Sequence, residues 1–249
     1  AVPDRAFQAL ALARVIEPTS KADSLRVIDE AGMVPPSYPT LNRRLPKYAK
    51  SSFQQSLWSA CADHAALGPA SLVLYDVTTL YLEADEEDDL RKVGYSKERR
   101  VDPQVVLGLL GDRAGFPLEI SCFEGNRAET TTILPVIRAF QERHGLADVV
   151  VVADAGMLSA GNLKELDAAG LRFIVGSRVT KAPQDLASHF RWHGEAFTDG
   201  QVIDTITPKV ATRAAAAVND VKKKAEPVWD RSVHKVSWRA VWAYSTKRA

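Results

Sequence analysis

Cysteine is scarce in this sequence. Its two cysteines, Cys61 and Cys122, sit in helix-like and strand-like surroundings without Cys-x-x-Cys spacing. Neither a disulfide framework nor a zinc site is indicated, and both thiols are expected in the core. Long apolar runs are missing too. Nothing approaches the roughly 20 apolar residues of a membrane-spanning helix, and the opening AVPDRAFQALALARV lacks the order of a signal peptide. The expectation is a cytoplasmic protein with no membrane partner. An excess of one charge is also lacking: 32 Lys and Arg stand against 31 Asp and Glu, a net +1. That is not the basic surplus usual in a non-specific nucleic-acid binder. Cations cluster locally instead, at Arg43, Arg44, Lys47 and Lys50, at Arg91 to Arg100, and at Lys222 to Lys224. Each cluster alone reads as a solvated face as readily as a phosphate contact. No Gly-rich phosphate loop or Gly-x-Ser-x-Gly elbow occurs. What is present, 249 residues of which 46% are hydrophobic and 25% charged, suffices for one large domain with an appendage, or for two.

Two apolar stretches each carry one aspartate. Ser71 to Leu82, SLVLYDVTTLYL, is β-branched and aromatic and reads as a central strand covered on both faces, with Asp76 in its middle. Asp148 to Met157, DVVVVADAGM, repeats the pattern with Asp154. A buried carboxylate is costly unless it is paired, exposed at an edge, or bound to a cation. Two strand-end aspartates that cap turns or helices are one reading; a shared acidic site is the other. A shared site would put the two carboxylates on adjacent strands, facing one another within roughly 4–8 Å.

The remaining pattern supplies the fold. Residues 1–69 are expected to be helical and to bind DNA or pack on the main domain, with one helix capped by Thr19 or Ser20 and a basic helix running to about Ala66. The acidic loop after the first strand has Leu90 where a calcium loop needs glycine, which argues for a solvated loop. A β-hairpin follows across Asp112 to Gly115, then a helix over Thr130 to His144 stopped by Gly145, the Asp154 strand, a helix capped by Ser159, and a buried strand at 171–177. The order β-β-β-α-β-α-β is a mixed α/β sheet of three antiparallel strands, then alternating helices and parallel strands, over residues 70–177. From residue 178 to 249 short alternating segments read as a β-rich insertion. His189 and His193, four apart, lack a convincing third metal ligand.

The stretches YDVTTLYLE, GYSKERRVDPQVVLGLLGDRAGFPLEISCFEGNRAETTT and VVVADAGMLSAGNL resemble a DDE transposase of the IS4/IS1634 insertion-sequence group. The resemblance covers residues 70 to 180 closely and the helical and β-rich flanks more loosely. It implies an RNase H-like core that cuts and rejoins DNA at transposon ends, with DNA as partner and a homodimer on DNA as one assembly. Asp76 and Asp154 match the first two acidic residues of the family's triad. Two such carboxylates hold Mg²⁺ or Mn²⁺ ions about 3.5–4 Å apart as hard oxygen donors. Lys97, Arg99 and Arg100 match a basic motif and imply phosphate contacts. The family's third ligand, a glutamate in a Tyr-x-x-Arg-x-x-x-Glu-x-x-x-x-x-x-Lys motif, is not found, because Glu165, Glu195 and Glu226 lack its companions. The chain therefore reads as a fragment cut before the core resumes, and is expected not to nick DNA by itself. The alternatives are another two-aspartate, metal-dependent phosphoryl-transfer enzyme, although Thr78 stands where an aspartate-nucleophile phosphatase has its second aspartate, and a non-catalytic DNA-binding remnant.

Overall fold

The computed structural model describes residues 4–83, 86–96, 100–154, 160–176, 198–209, 228–243 and 245. The chain divides into two compact units, Ala1–Ser177 and Arg178–Ala249.

The first unit opens with helices. Asp4, in extended backbone, accepts from the amides of Ala6 and Phe7 at 3.1 and 3.2 Å and so starts α1 (Arg5–Ile16). The next helix, α2 (Ser24–Glu30), begins later than a Thr19 or Ser20 cap would place it. Thr19 donates to the Asp23 carboxylate (2.8 Å) and Ser20 Oγ accepts from the Asp23 amide (3.1 Å), and these local bonds hold residues 19–23 in a turn. The expected basic helix is two helices, α3 (Tyr38–Tyr48) and α4 (Ser51–Ala65), separated where Lys50 turns to an extended ψ of 138°. Phe7, Tyr48 and Phe53, with centroids 4.9 to 5.3 Å apart, tie α1, α3 and α4 together.

A five-stranded sheet follows, built from β1 (Ser71–Tyr81), β2 (Gln104–Asp112), β3 (Pro117–Glu124), β4 (Val149–Ala153) and β5 (Arg172–Val175). Their spatial order is β3-β2-β1-β4-β5. The β1–β2 and β2–β3 pairs are antiparallel, whereas β1–β4 and β4–β5 are parallel. Parallel neighbours need crossovers, and α5 (Ile133–His144) and α6 (Ala160–Ala168) lie in those connections. Gly145, at φ 63°, ends α5 in the left-handed conformation that glycine adopts without strain. This is the mixed sheet, three antiparallel strands and then parallel ones, that the element order predicts.

The sheet is not buried on both sides. Val73, Tyr75, Leu110, Val149 and Val151 pack with Ile133, Val136, Ile137 and Phe140 of α5 in one core. On the opposite face Leu80, Leu109, Ile120 and Ile174 remain 51%, 42%, 49% and 58% exposed. A run of apolar residues does not by itself distinguish a strand covered on one face from one covered on two. Cys122, paired with Leu107 on that open face, is exposed, and Cys61 is only half-buried. Neither thiol is the fully buried core residue the sequence suggests.

One polar cluster joins the helices to the sheet. Glu119 of β3 is buried and accepts from Arg143 and His144 at the end of α5, while the Arg143 guanidinium lies 4.7 Å from the Trp58 ring centroid of α4.

In the second unit, β6 (Val202–Pro208) and β7 (Ser237–Ala243) form an antiparallel pair. Trp242 donates to Thr205 Oγ1 at 2.8 Å, and Lys209 lies over the Trp238 ring. His189, His193 and Lys222 to Lys224 lie outside the described residues. Among the described residues no helix is long and apolar enough to cross a membrane.

Candidate functional site

The parallel pairing of β1 and β4 runs from Ser71↔Val149 to Tyr75↔Ala153. The next residue on each strand is an aspartate, Asp76 on β1 and Asp154 immediately after β4. Neighbouring strands lie about 4.8 Å apart, and successive side chains alternate between faces. The pairing thus ends one residue short of both aspartates, and Asp76 lies on the face of β1 opposite the buried Tyr75. Both are exposed. The burial cost weighed for Asp76 from its sequence neighbours does not arise, because its side of the strand is the open face.

Tyr75 fixes the strand beneath that position. The residue is 2% exposed, its hydroxyl donates to Thr132 Oγ1 at 2.8 Å, and the Thr132 hydroxyl donates to the Glu129 carbonyl at 2.7 Å. Burial pushes the Tyr75 phenol up, and the neighbouring Asp76 charge adds to it against the Thr132 bond. Across the ladder Gly108 leaves room for the ring: a Cβ there would overlap the Tyr75 hydroxyl and reach 3.0 Å from Cε2 and Cζ. A glycine inside a strand is the sequence signal for such a close approach, but its partner becomes visible only in the β1–β2 register.

The basic segment between β1 and β2 is held from both ends. Arg100 stacks 4.9 Å over the Tyr81 ring, its Nε donates to Asp102 at 3.0 Å, and its amide donates to Ser96 Oγ. The hydroxyls of Ser96 and Tyr81 are hydrogen-bonded at 2.9 Å. Gln104, also 2% exposed, donates to the carbonyls of Gly125 (2.7 Å) and Tyr95 (3.2 Å) and closes the segment onto the turn after β3. Lys97 and Arg99 lie outside the described residues, so of the three predicted phosphate contacts only Arg100 is located. Its place is at the far end of the strand that carries Asp76.

As a cation site, this arrangement offers two adjacent, accessible carboxylates, hard oxygen donors of the kind Mg²⁺ and Mn²⁺ take. Among the described residues no group of three or more His, Cys, Asp and Glu side chains comes together. Glu165 lies exposed on α6.

Sequence reasoning missed two polar centres. The Glu119–Arg143–His144 cluster has no local signature, since its members are 24 and 25 residues apart. At Asp4 the signal was an acid directly before an apolar helical stripe, the mark of an N-cap.

Comparison with known proteins gives the class. The family model described as the transposase DDE domain matches residues 67–249, and the chain belongs to that family. Among solved structures it is similar to a piggyBac transposase in a synaptic complex with hairpin DNA, at 13% identity and a TM-score of 0.42, covering 81% of this chain and 47% of that one. The chain thus spans about half the length of that relative. A Drosophila P element transposase strand transfer complex matches at 14% identity and a TM-score of 0.38, over 71% of this chain and 42% of that one. A Mos1 transposase paired-end complex matches at 9% identity and a TM-score of 0.30, over 76% and 70%. No curated protein matches the sequence.

Proposed function

We propose that this chain is the DNA-acting portion of a transposase, with Asp76 and Asp154 as a shared carboxylate pair for divalent cations and DNA as the substrate. The single observation that supports the reading is the β1–β4 register, whose last pair, Tyr75↔Ala153, directly precedes Asp76 and Asp154. A bound Mg²⁺ or Mn²⁺ supplies Lewis-acid activation of an attacking hydroxyl and stabilisation of the leaving oxygen. The chain's own part is to hold two carboxylates on rigid neighbouring strands and to position phosphates with cations. Arg100, stacked on Tyr81, supports a positioning role for the Lys97, Arg99 and Arg100 segment. Residues 1–69 form the helical region, 70–177 the catalytic core and 178–249 the insertion. The assignment to the IS4/IS1634 group and a homodimer on DNA rest on the resemblance of the sequence motifs.

Manganese binding tests the proposal without requiring turnover. Wild-type chain should deplete the free Mn²⁺ signal in electron paramagnetic resonance, Mg²⁺ should compete, and Asp76→Asn and Asp154→Asn should each abolish uptake. Uptake unaffected by either substitution would overturn the site. Phosphate contacts carry little sequence information. Neutralising Lys97, Arg99 and Arg100 together should therefore weaken all duplex sequences alike and flatten the salt dependence.

A further inference from the structure

The basic segment between β1 and β2 is not anchored by its own side chains. Val93, Tyr95 and Val101 are exposed, Tyr95 at 84%. The bonds that Glu87 accepts from the Val93 amide and Asp88 from Arg91 are exposed too, and ionic contacts in water hold weakly. What fixes the segment is the buried Gln104. Its backbone pairs with Lys92 in both directions, amide to carbonyl, at 2.9 and 3.1 Å. Its side-chain nitrogen gives both donors to main-chain carbonyls, those of Gly125 and Tyr95. Gly125 in turn donates its amide to the Leu90 carbonyl at 3.0 Å. The backbones meet too closely for any Cβ: one on Gly94 would overlap the Gly125 carbonyl and the Gln104 side-chain nitrogen, and one on Gly125 would overlap the Gln104 and Lys92 carbonyls. From Tyr95 the hold passes to the next residue, because Ser96 Oγ bonds the Tyr81 hydroxyl and accepts from the Arg100 amide. Stability alone is a poor reason for a glutamine at this place. Its Oε1 is buried with no hydrogen-bond partner among the described residues, and a buried acceptor left unpaired is costly. An apolar side chain of the same length would avoid that cost but could not donate to two carbonyls.

We infer that Gln104 is a positioning residue for phosphate recognition. Its two donors fix residues 90–96 against the turn after β3, and so set Ser96 and Arg100, the residues that bracket Lys97 and Arg99 in sequence. The inference rests on the phosphate-contact reading above and deepens it, adding a residue that is itself buried and acts only through the segment it holds. A segment fixed before binding does not have to be ordered during it, which saves affinity that a loose segment would lose.

The test is a mutant cycle read by fluorescence anisotropy of the whole chain with a labelled duplex. Gln104→Met is made in the wild-type background and in the triple variant Lys97→Gln, Arg99→Gln, Arg100→Gln. In the wild-type background it should lose roughly tenfold in affinity, the worth of one or two hydrogen bonds. In the triple variant it should lose nothing further, because no phosphate contact is left in the segment to position. Trypsin should cut after Lys97, Arg99 or Arg100 roughly tenfold faster in Gln104→Met than in wild type, with the circular dichroism unchanged. Gln104→Leu, a second uncharged variant, should behave in the same way. Full affinity in Gln104→Met, an equal loss in both backgrounds, or cleavage no faster than in wild type would overturn the inference and leave the phosphate contacts standing. Global unfolding of both Gln104 variants would make the residue a part of the fold instead and overturn it as well. A triple variant that binds DNA as wild type does would overturn the phosphate reading itself, and this inference with it.

Discussion

Gly108→Ala should destabilise the first unit through Tyr75, and the size of the effect follows from the geometry. The added Cβ would overlap the Tyr75 hydroxyl and approach Cε2 and Cζ at 3.0 Å. Overpacking of this kind costs about 1–3 kcal/mol. Moving the ring also breaks the buried bond to Thr132 Oγ1, and a buried hydroxyl left without its partner costs about 1–3 kcal/mol. The sum is about 2–6 kcal/mol. The discriminating step is to repeat the substitution in a Tyr75→Phe background. Removing the hydroxyl takes away the worst overlap but not the two carbon contacts, so the cost of Gly108→Ala should shrink by at least ~1 kcal/mol without vanishing. Urea unfolding followed by circular dichroism gives all four stabilities. A coupling energy indistinguishable from zero would refute the claim that Gly108 exists to admit the Tyr75 hydroxyl.

Arg143→Ala should cost about 3–5 kcal/mol in thermal or urea unfolding, because Glu119 is left as a buried carboxylate with only His144 still donating to it; Arg143→Lys should recover only part, since an ammonium cannot reproduce the planar stacking on Trp58. Asp4 contributes a pH dependence to the helical region: burial pushes its carboxyl up, but the bonds from Tyr48, the Phe7 amide and Lys47 and the Arg44 charge outweigh this and leave it below the ordinary 3.8. A folded value below the unfolded one gives stability that is complete above the unfolded value and is lost as the pH falls through the folded one. Melting temperatures of wild type and Asp4→Asn should therefore converge below pH 4, and a gap that widens on acidification would contradict that sign.

Much of the sheet was legible because its signals are local. The hairpin turn at Asp112, the glycine stop at Gly145 and the two aspartate-bearing strands all appear where short-range chemistry puts them. What was not legible depends on what packs against what. The apolar run around Asp76 has one open face, which no residue within the run reveals, since Leu80 and Val73 are equally apolar and differ only in what covers them. Side-chain competition displaced the start of α2, and an extended Lys50 divided the basic helix. The Arg143 and Asp4 clusters join residues 24 to 44 positions apart and have no sequence spacing to betray them. The candidate site was legible as residues, whereas its register and its solvent-facing side belong to the fold.

The central claim is that Asp76 and Asp154 serve one cation site, and iron-directed cleavage of the polypeptide tests it most directly. Fe²⁺ with ascorbate and peroxide, substituted for Mg²⁺, should cut the chain at two places at once, beside Asp76 in β1 and beside Asp154 after β4. Mg²⁺ should suppress both cuts, and either Asp76→Asn or Asp154→Asn should remove both together. Cuts at one strand only, or loss of one cut while the other persists in a single variant, would contradict a shared site.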